Sequence, residues 1–308
     1  MLTFEVIAKA VGVRMVFLLH IALCIWRLAS LNNYDDFWPW VMFTGASVFL
    51  LAEAAFTLCI NKHGEWRRFI PCIFIYLLGT VPVLFMLEYD LLTRRLEYKD
   101  RYNMESCTRF ADNVTLTSSV AGIVIPVQLT ANSWSLALQQ IMLFLLVAGR
   151  WFLPKGKLSR EKLSNMLLAY VGMAADILEF LSEGVGTEAV RCEKPVIIVI
   201  LCIWAWSLLQ FTMELNLQMT KRKKQMLSRD RRKNSILYRS RNSEVRGIFT
   251  VIIMQDGPFL VVRLYLIVMH DIFEQSLIFF TFKNILVVML QLYRLWILTC
   301  IKLDSDEG

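Results

Sequence analysis

The sequence is poor in charged residues, in histidine and in the residues that interrupt helices. Only 19% of its 308 residues are charged and 56% are hydrophobic, whereas globular domains carry about a quarter charged residues. It has thirteen glycines and seven prolines, with no low-complexity tract and no repeat of fixed period, which argues against a long disordered region or a solenoid. This composition excludes an ordinary soluble domain and indicates a polytopic membrane protein.

Sequence motifs of enzymes and metal sites are missing as well. The three histidines, His20, His63 and His270, form no His-Glu-x-x-His pattern, and no Cys-x-x-Cys pair is present. The sequence also lacks a Gly-x-Ser-x-Gly turn and a phosphate-binding glycine loop. We therefore expect no enzymatic activity, no cofactor and no metal.

Long apolar runs dominate what is present. A helix needs roughly 20 apolar residues to cross a hydrocarbon core of about 30 Å, and lipid cannot satisfy free backbone groups, so each such run must be helical. Eight runs qualify: Val11–Ala29, Trp40–Ile60, Phe69–Glu88, Trp134–Leu153, Leu163–Ser182, Pro195–Leu215, Gly247–Met269 and Ser276–Ile301. The sequence predicts an all-α bundle of about eight membrane helices that forms a single transmembrane domain, 1–308.

The distribution of Lys and Arg between these runs predicts the orientation. With the N-terminus in the cytosol, the inside segments hold 20 basic residues and the outside segments hold 7. Because cytosolic loops are enriched in Lys and Arg, both termini are expected in the cytosol. Residues 221–246 then form a basic cytosolic loop with eleven Lys and Arg, and residues 89–133 form a long outside loop.

Three residues of the outside segments fit that orientation. Asn113 begins the sequon Asn-Val-Thr, a candidate glycosylation site, although the same three residues also occur in bare polar loops. Cys107 and Cys192 are the two cysteines in outside segments, and they are a candidate disulfide, with free loop cysteines as the alternative. These features place the protein in the plasma membrane or in a membrane of the secretory pathway.

Ionisable residues inside the predicted spans raise the question of function. At a helix centre each such residue costs roughly 2.5 to 3.5 kcal/mol, so partners on other helices are expected. One predicted cluster lies toward the outer side and holds Asp176, Glu179, Arg263 and Lys283; the other lies toward the inner side and holds Arg14, Glu53, Asp256 and Arg294. Gly257 and Pro258 follow Asp256 and predict a kink in that helix.

Two functions are compatible with such a polar network. Buried ion pairs can fix the registry of helices without binding any ligand, which indicates a non-enzymatic scaffold, receptor or regulator. Alternatively, Asp256 and the bend at Pro258 line a path for a substrate or an ion, as the broken helices of transporters do. Intramembrane chemistry is a third and weaker alternative.

The basic loop 221–246 has two interpretations of its own. It anchors the topology by binding the anionic lipid of the inner leaflet, which attracts each basic side chain by about 1 kcal/mol. In the second interpretation it is an electrostatic switch, since Ser235 follows "RRKN" and a phosphate there would oppose that attraction. A loop held between two membrane spans is not expected to bind nucleic acid. The expected surroundings are the lipid bilayer, and protein partners, which the sequence does not identify, would bind the loops.

Six stretches, each with polar residues inside apolar runs, resemble the transmembrane protein 26 family. They follow the family's order along the chain: "FLLHIALCIWRL", "GRWFLP", "AADILEF", "IWAWSLLQF", "QDGPFLVVRL" and "KNILVVMLQLYRL". The resemblance implies a multi-span membrane protein and brings no reaction, substrate or ligand to any position. The loops 89–133 and 221–246 depart from the family pattern, so a function placed in them need not be shared.

Overall fold

The structure is a computed structural model, and it describes residues 4–31, 37–60, 69–102, 119–120, 123–124, 131–153, 160–187, 190–213 and 245–306. Within these residues, eight helices are long and apolar enough to cross a membrane. The predicted fold class, a helical membrane protein with about eight spans, is therefore confirmed at the level of helix number and type.

The helices follow the chain as eight successive elements. Their bounds are α1 Phe4–Ala29, α2 Phe37–Ile60, α3 Pro71–Tyr102, α4 Ala131–Phe152, α5 Arg160–Gly186, α6 Lys194–Leu208, α7 Val245–His270 and α8 Gln275–Asp306. A 3-10 turn, Leu209–Thr212, extends α6. Two very short strands, Ser119–Val120 and Ile123–Val124, pair in antiparallel fashion between α3 and α4.

Helix α3 is longer than its apolar run predicts. The sequence-based span ends at Glu88, yet the helix continues to Tyr102, so the first part of segment 89–133 is helical. The extension holds three Leu and three Arg, which are good helix formers, and neither Gly nor Pro. The side chains of Asp90 and Arg94, one turn apart, form an ion pair with an N–O distance of 2.7 Å, and such pairs stabilise a helix.

The chain divides into two compact units, each described on its own. Unit 1 comprises residues 1–158 and 170–214, and unit 2 comprises residues 159–169 and 215–308. In unit 1, α1 packs against α2, α3 and α4. Its core holds stacked rings of Phe17 and Tyr76, whose centroids are 4.2 Å apart. Gly149 allows this packing, because a Cβ there would lie 2.7 Å from the ring of Phe17.

Unit 2 is built around α7 and α8, which pack against each other. Residues Ile252–Asp256 of α7 form a π-helical turn, in which the Gly257 N–H donates to the carbonyl of Ile252. After His270 the helix ends at Asp271, whose φ of 51° lies in the left-handed region. Aspartate is one of the few residues apart from glycine that adopt this conformation readily, so it suits the end of a helix.

Candidate functional site

A buried ion pair joins α1 to α2 in unit 1. The guanidinium of Arg14 donates to both carboxylate oxygens of Glu53, at 2.9 and 3.0 Å, and each side chain is 5% exposed. Arg14 also donates to the carbonyl of Ala10 at 3.0 Å, and the hydroxyl of Thr57 donates to Glu53 at 2.7 Å. A two-point guanidinium–carboxylate contact is among the strongest that proteins make, so this pair fixes α1 against α2.

Further along α1, a buried histidine joins three helices of unit 1. The Nδ1 of His20 lies 2.8 Å from the hydroxyl of Tyr76 on α3, and its Nε2 lies 3.2 Å from the carbonyl of Leu138 on α4. The carbonyl can only accept, so Nε2 donates to it. In a neutral imidazole, Nδ1 then accepts a hydrogen bond from the tyrosine hydroxyl. The thiol of Cys24, one turn along α1, lies 3.6 Å from Nε2.

Where α1 ends, a second carboxylate is held by neutral donors. Ser135 and Gln139, one turn apart on α4, both donate to the same oxygen of Glu88, and the bond from Gln139 is 2.8 Å long. The guanidinium of Arg95 donates to the side chain of Asn132 at 2.8 Å. We call these five residues the Glu88 network, and they fix α3 against α4.

At the other end of unit 1, where α1 begins, two side chains hold one carbonyl. The Met213 carbonyl directly follows the 3-10 turn, and it accepts hydrogen bonds from the guanidinium of Arg150 and, at 3.0 Å, from the hydroxyl of Tyr170. The Arg150 guanidinium also lies 4.8 Å from the Tyr170 ring centroid. Helix ends leave carbonyls without intrahelical partners, and this arrangement, the carbonyl clamp, satisfies one of them.

Unit 2 has its own polar site beside the π-helical turn. The amide of Gln291 on α8 donates to the Asp256 carboxylate on α7 at 2.6 Å. Seven residues farther along α7, the guanidinium of Arg263 lies 5.5 Å from the ring centroid of Phe280, and the ammonium of Lys283 lies 5.2 Å from the same centroid. Unit 2 therefore has a carboxylate bonded to an amide and, farther along α7, two cations that lie at one aromatic ring.

The residues predicted from sequence are distributed as follows. Arg14 and Glu53 meet directly in unit 1, where Asp176 and Glu179 also lie, half-buried on α5. The remaining four, Asp256, Arg263, Lys283 and Arg294, lie in unit 2. Both predicted clusters combine residues of the two units, so the clusters as such stay predictions.

At Gly257 and Pro258, where the sequence predicts a kink, the structure has a π-helical turn followed by regular helix. Pro258 lies in the first turn of the regular helix after the π-helical turn, a position that needs no N–H donor. Gly257 has an ordinary helical conformation, with φ of −66°. Its lack of a side chain matters because a Cβ there would lie 2.7 Å from the Ile252 carbonyl oxygen.

Four predictions concern residues that the structure does not describe, in whole or in part. Asn113, Cys107 and Ser235 lie outside the described residues, as does most of segment 221–246. Cys192 forms a disulfide. Its pairing with Cys107 stays a prediction.

Most of the Glu88 network and the carbonyl clamp do not follow from the sequence pattern. Hydropathy places Glu88 at the end of a span and Arg95 in a loop, and it assigns Arg150 to no site. A usable signal is present, since Ser135 and Gln139 are four residues apart and share one face of an apolar helix. For Arg150 and Met213, which are far apart in sequence, no local signal exists.

The described residues contain no group of three or more His, Cys, Asp or Glu that could hold a metal ion. The family model of transmembrane protein 26 matches residues 4–294. The chain belongs to the transmembrane protein 26 family. That match begins within α1 and ends within α8, so it covers all or part of each of the eight helices. No solved structure matches the chain.

Proposed function

We propose that this member of the transmembrane protein 26 family is a non-enzymatic membrane scaffold, receptor or regulator. Its polar network holds the helices in place, and its loops bind the partners. The observation that supports this most is the Arg14–Glu53 pair, in which both charged groups are 5% exposed and are bonded to protein atoms. Charged groups that serve transport face a cavity or a water-filled path, whereas these face each other.

The carbonyl clamp supports the same function. It holds the chain at Met213, the last described residue before the segment that contains the basic loop 221–246. A rigid support directly before a basic segment suits a scaffold that presents this segment to anionic inner-leaflet lipid. In this proposal Ser235 is the position at which phosphorylation weakens that contact.

The proposed orientation has both termini in the cytosol, in the plasma membrane or a membrane of the secretory pathway. The excess of Lys and Arg, 20 against 7, supports it. The disulfide at Cys192 supports it too, since disulfides persist on the side of the membrane away from the cytosol and Cys192 lies in a segment assigned to that side. The sequon at Asn113 is then available for glycosylation.

A transporter or channel is the second candidate, and the π-helical turn favours it. Such turns are rare and occur frequently at functional sites, and this one places Asp256 beside Gln291. In this candidate Asp256 contacts the substrate or ion, and Asp256→Asn lowers flux.

One labelling experiment separates the two candidates. After the seven native cysteines are replaced, single cysteines are placed at Thr57, beside Glu53, and at Leu260, one turn from Asp256, and a membrane-impermeant thiol reagent is applied from each side. A cysteine at Glu274, which is exposed between two helices able to span the membrane, serves as the accessible control. The scaffold proposal expects protection at both positions from both sides.

Labelling at Thr57 would overturn the scaffold proposal, because water would then reach the ion pair. Labelling at Leu260 alone would favour the transporter, and flux through the Asp256→Asn variant would then be measured. Unchanged flux would remove Asp256 from a coupling role.

A further inference from the structure

Unit 1 has an apolar groove between α1 and α4 that no residue of the polar network occupies. Its volume is about 400 Å³, which lies in the range of small-molecule binding sites. Gly12 and Val16 form one wall, Phe144 and Ala148 form the other, and Lys9 lies at one end. Apart from Lys9, every residue that lines the groove is apolar.

Two glycines give the groove its shape. At Gly12, a Cβ would meet no atom within 4 Å, so the wall is open there. At Gly149, a Cβ would lie 2.7 Å from Phe17, and this close approach of the helices makes Phe17 the buried floor of the groove. The groove is therefore a depression with the buried ring of Phe17 as its floor and with an open side at Gly12.

The open side faces the surroundings of the helices, because Val16, Phe144 and Phe152 are 45%, 71% and 48% exposed. These residues belong to α1 and α4, two of the helices able to span a membrane. In a bilayer their exposed surface meets lipid tails rather than water. A polar ligand would find no partner along these walls, whereas an acyl chain needs none.

The dimensions fit one lipid tail. From Lys9 to Phe17 the groove follows α1 for about 12 Å, at about 1.5 Å per residue. One leaflet contributes about 15 Å of hydrocarbon, half of a core of about 30 Å. A tail that enters at the level of Lys9 would therefore lie in the groove over most of its leaflet.

The positive charge of Lys9, at the end of the groove, favours a lipid with a negatively charged headgroup. Lys9 is exposed and lies two residues inside the start of the membrane-spanning stretch of α1. Near the end of a span, a long lysine side chain extends its ammonium toward the headgroups. Basic residues near a membrane surface attract anionic lipid by about 1 kcal/mol each. Since Lys9 is the one charged residue of the groove lining, it complements a negatively charged headgroup.

We propose that the groove between α1 and α4 binds an anionic glycerophospholipid, with one acyl chain against Gly12, Phe17 and Ala148 and the headgroup at Lys9. The site consists of residues of α1 and α4 only and does not depend on the scaffold proposal. The proposed orientation enters only in assigning the lipid to the cytosolic leaflet.

The test uses the full chain in nanodiscs that contain phosphatidylcholine and a phosphatidylserine probe with a photoactivatable tail. Peptide mass spectrometry then locates the label. The wild type should carry the label on residues of the groove. Gly12→Leu should reduce that label about tenfold, because the new side chain displaces roughly two methylenes of the tail from the groove.

The chain offers a matched control. Gly172 on α5 is also exposed, and a Cβ added there would likewise meet no atom within 4 Å. Gly172→Leu therefore adds the same side chain to a helix surface without filling the groove, and groove labelling should stay at the wild-type level. Ala148→Leu fills the groove from the other helix and should act as Gly12→Leu does.

A third variant tests the headgroup. In the wild type the phosphatidylserine probe should label the groove about fivefold more than a phosphatidylcholine probe with the same tail, and Lys9→Gln should remove this preference. The proposal is overturned if Gly12→Leu and Gly172→Leu label alike, if the two probes label the wild type equally, or if a photoactivatable sterol displaces the phosphatidylserine probe from the groove.

Discussion

Two carboxylates of unit 1 and two cations of unit 2 illustrate different kinds of contact. In unit 1, Glu53 and Glu88 each accept hydrogen bonds from two residues, and Arg14 binds its carboxylate at two points. In unit 2, Arg263 and Lys283 both lie over the ring of Phe280. A cation over an aromatic ring contributes about 0.5 to 2 kcal/mol and has weak directionality, whereas hydrogen bonds to charged groups contribute about 1.5 to 3 kcal/mol each.

The directional bonds of unit 1 and the π-helical turn of unit 2 indicate different properties for the two units. Directional bonds allow a single arrangement of helices, so unit 1 suits a rigid support. Unit 2 contains the π-helical turn at Ile252–Asp256, which departs from regular helix geometry. If one part of the molecule changes conformation during function, this turn favours unit 2.

Breaking the ion pair of unit 1 should have the largest effect. Arg14→Met leaves the Glu53 carboxylate buried without its guanidinium and should lower the free energy of unfolding by about 3 to 5 kcal/mol. The double variant Arg14→Met, Glu53→Met removes both charges and should regain most of this loss, because apolar replacement of a buried pair is often neutral. Titration with SDS, followed by tryptophan fluorescence, measures both. A double variant as unstable as the single one would contradict a structural role for the pair.

Removing the amide beside Asp256 should have a smaller effect in unit 2. Gln291→Leu deletes the 2.6 Å hydrogen bond to the Asp256 carboxylate and should lower the free energy of unfolding by about 1.5 to 3 kcal/mol. The neighbouring Tyr293 is 59% exposed, so Tyr293→Leu is the control and should change stability by less than about 0.5 kcal/mol. A loss for Gln291→Leu as large as that for Arg14→Met would remove the energetic distinction between the units.

The smallest effect is expected from a methyl group at the π-helical turn. Gly257→Ala places a Cβ against the backbone oxygen of Ile252, and overpacking of this kind costs about 1 to 3 kcal/mol. Alanine is favoured over glycine in a helix by about 1 kcal/mol, so the net loss should be about 1 kcal/mol. The same SDS titration measures it.

Gly149→Ala in unit 1 is the matched variant, since its Cβ meets the ring of Phe17 at the same distance. A side chain can move where a backbone carbonyl in a helix cannot, so this variant should lose less stability than Gly257→Ala. A larger loss of stability for Gly149→Ala than for Gly257→Ala would contradict this expectation. It would show that the added methyl group is accommodated more readily at the π-helical turn than in the core of unit 1.

The helices are well predicted from the sequence because the bilayer imposes one length and one composition on every span. The eight helices of membrane-spanning length and the family resemblance are confirmed. For α3 the predicted end at Glu88 is too early, because hydropathy falls there while helix propensity continues to Tyr102. A fall in hydropathy marks the end of the apolar run, and a helix can continue beyond that point.

The polar site is less predictable, for a physical reason. Charged residues inside apolar runs identify Arg14 and Glu53 as needing partners, but 39 residues separate the two in sequence. Their contact depends on how α1 and α2 rotate against each other, which no local pattern encodes. The bond between His20 and Tyr76 has the same origin. At the π-helical turn the sequence predicts only a bend at Pro258, because the shift in hydrogen bonding is a property of the backbone.

The carbonyl clamp has a mechanical consequence. Arg150 and Tyr170 belong to different helices and hold the same oxygen of Met213, while the backbone N–H of Ile70 holds the adjacent carbonyl of Thr212 at 2.8 Å. A pull on the chain beyond Met213 is therefore shared among α3, α4 and α5 and does not act on the short 3-10 turn alone. Force applied to the chain beyond Met213 would therefore be transmitted to several helices of unit 1.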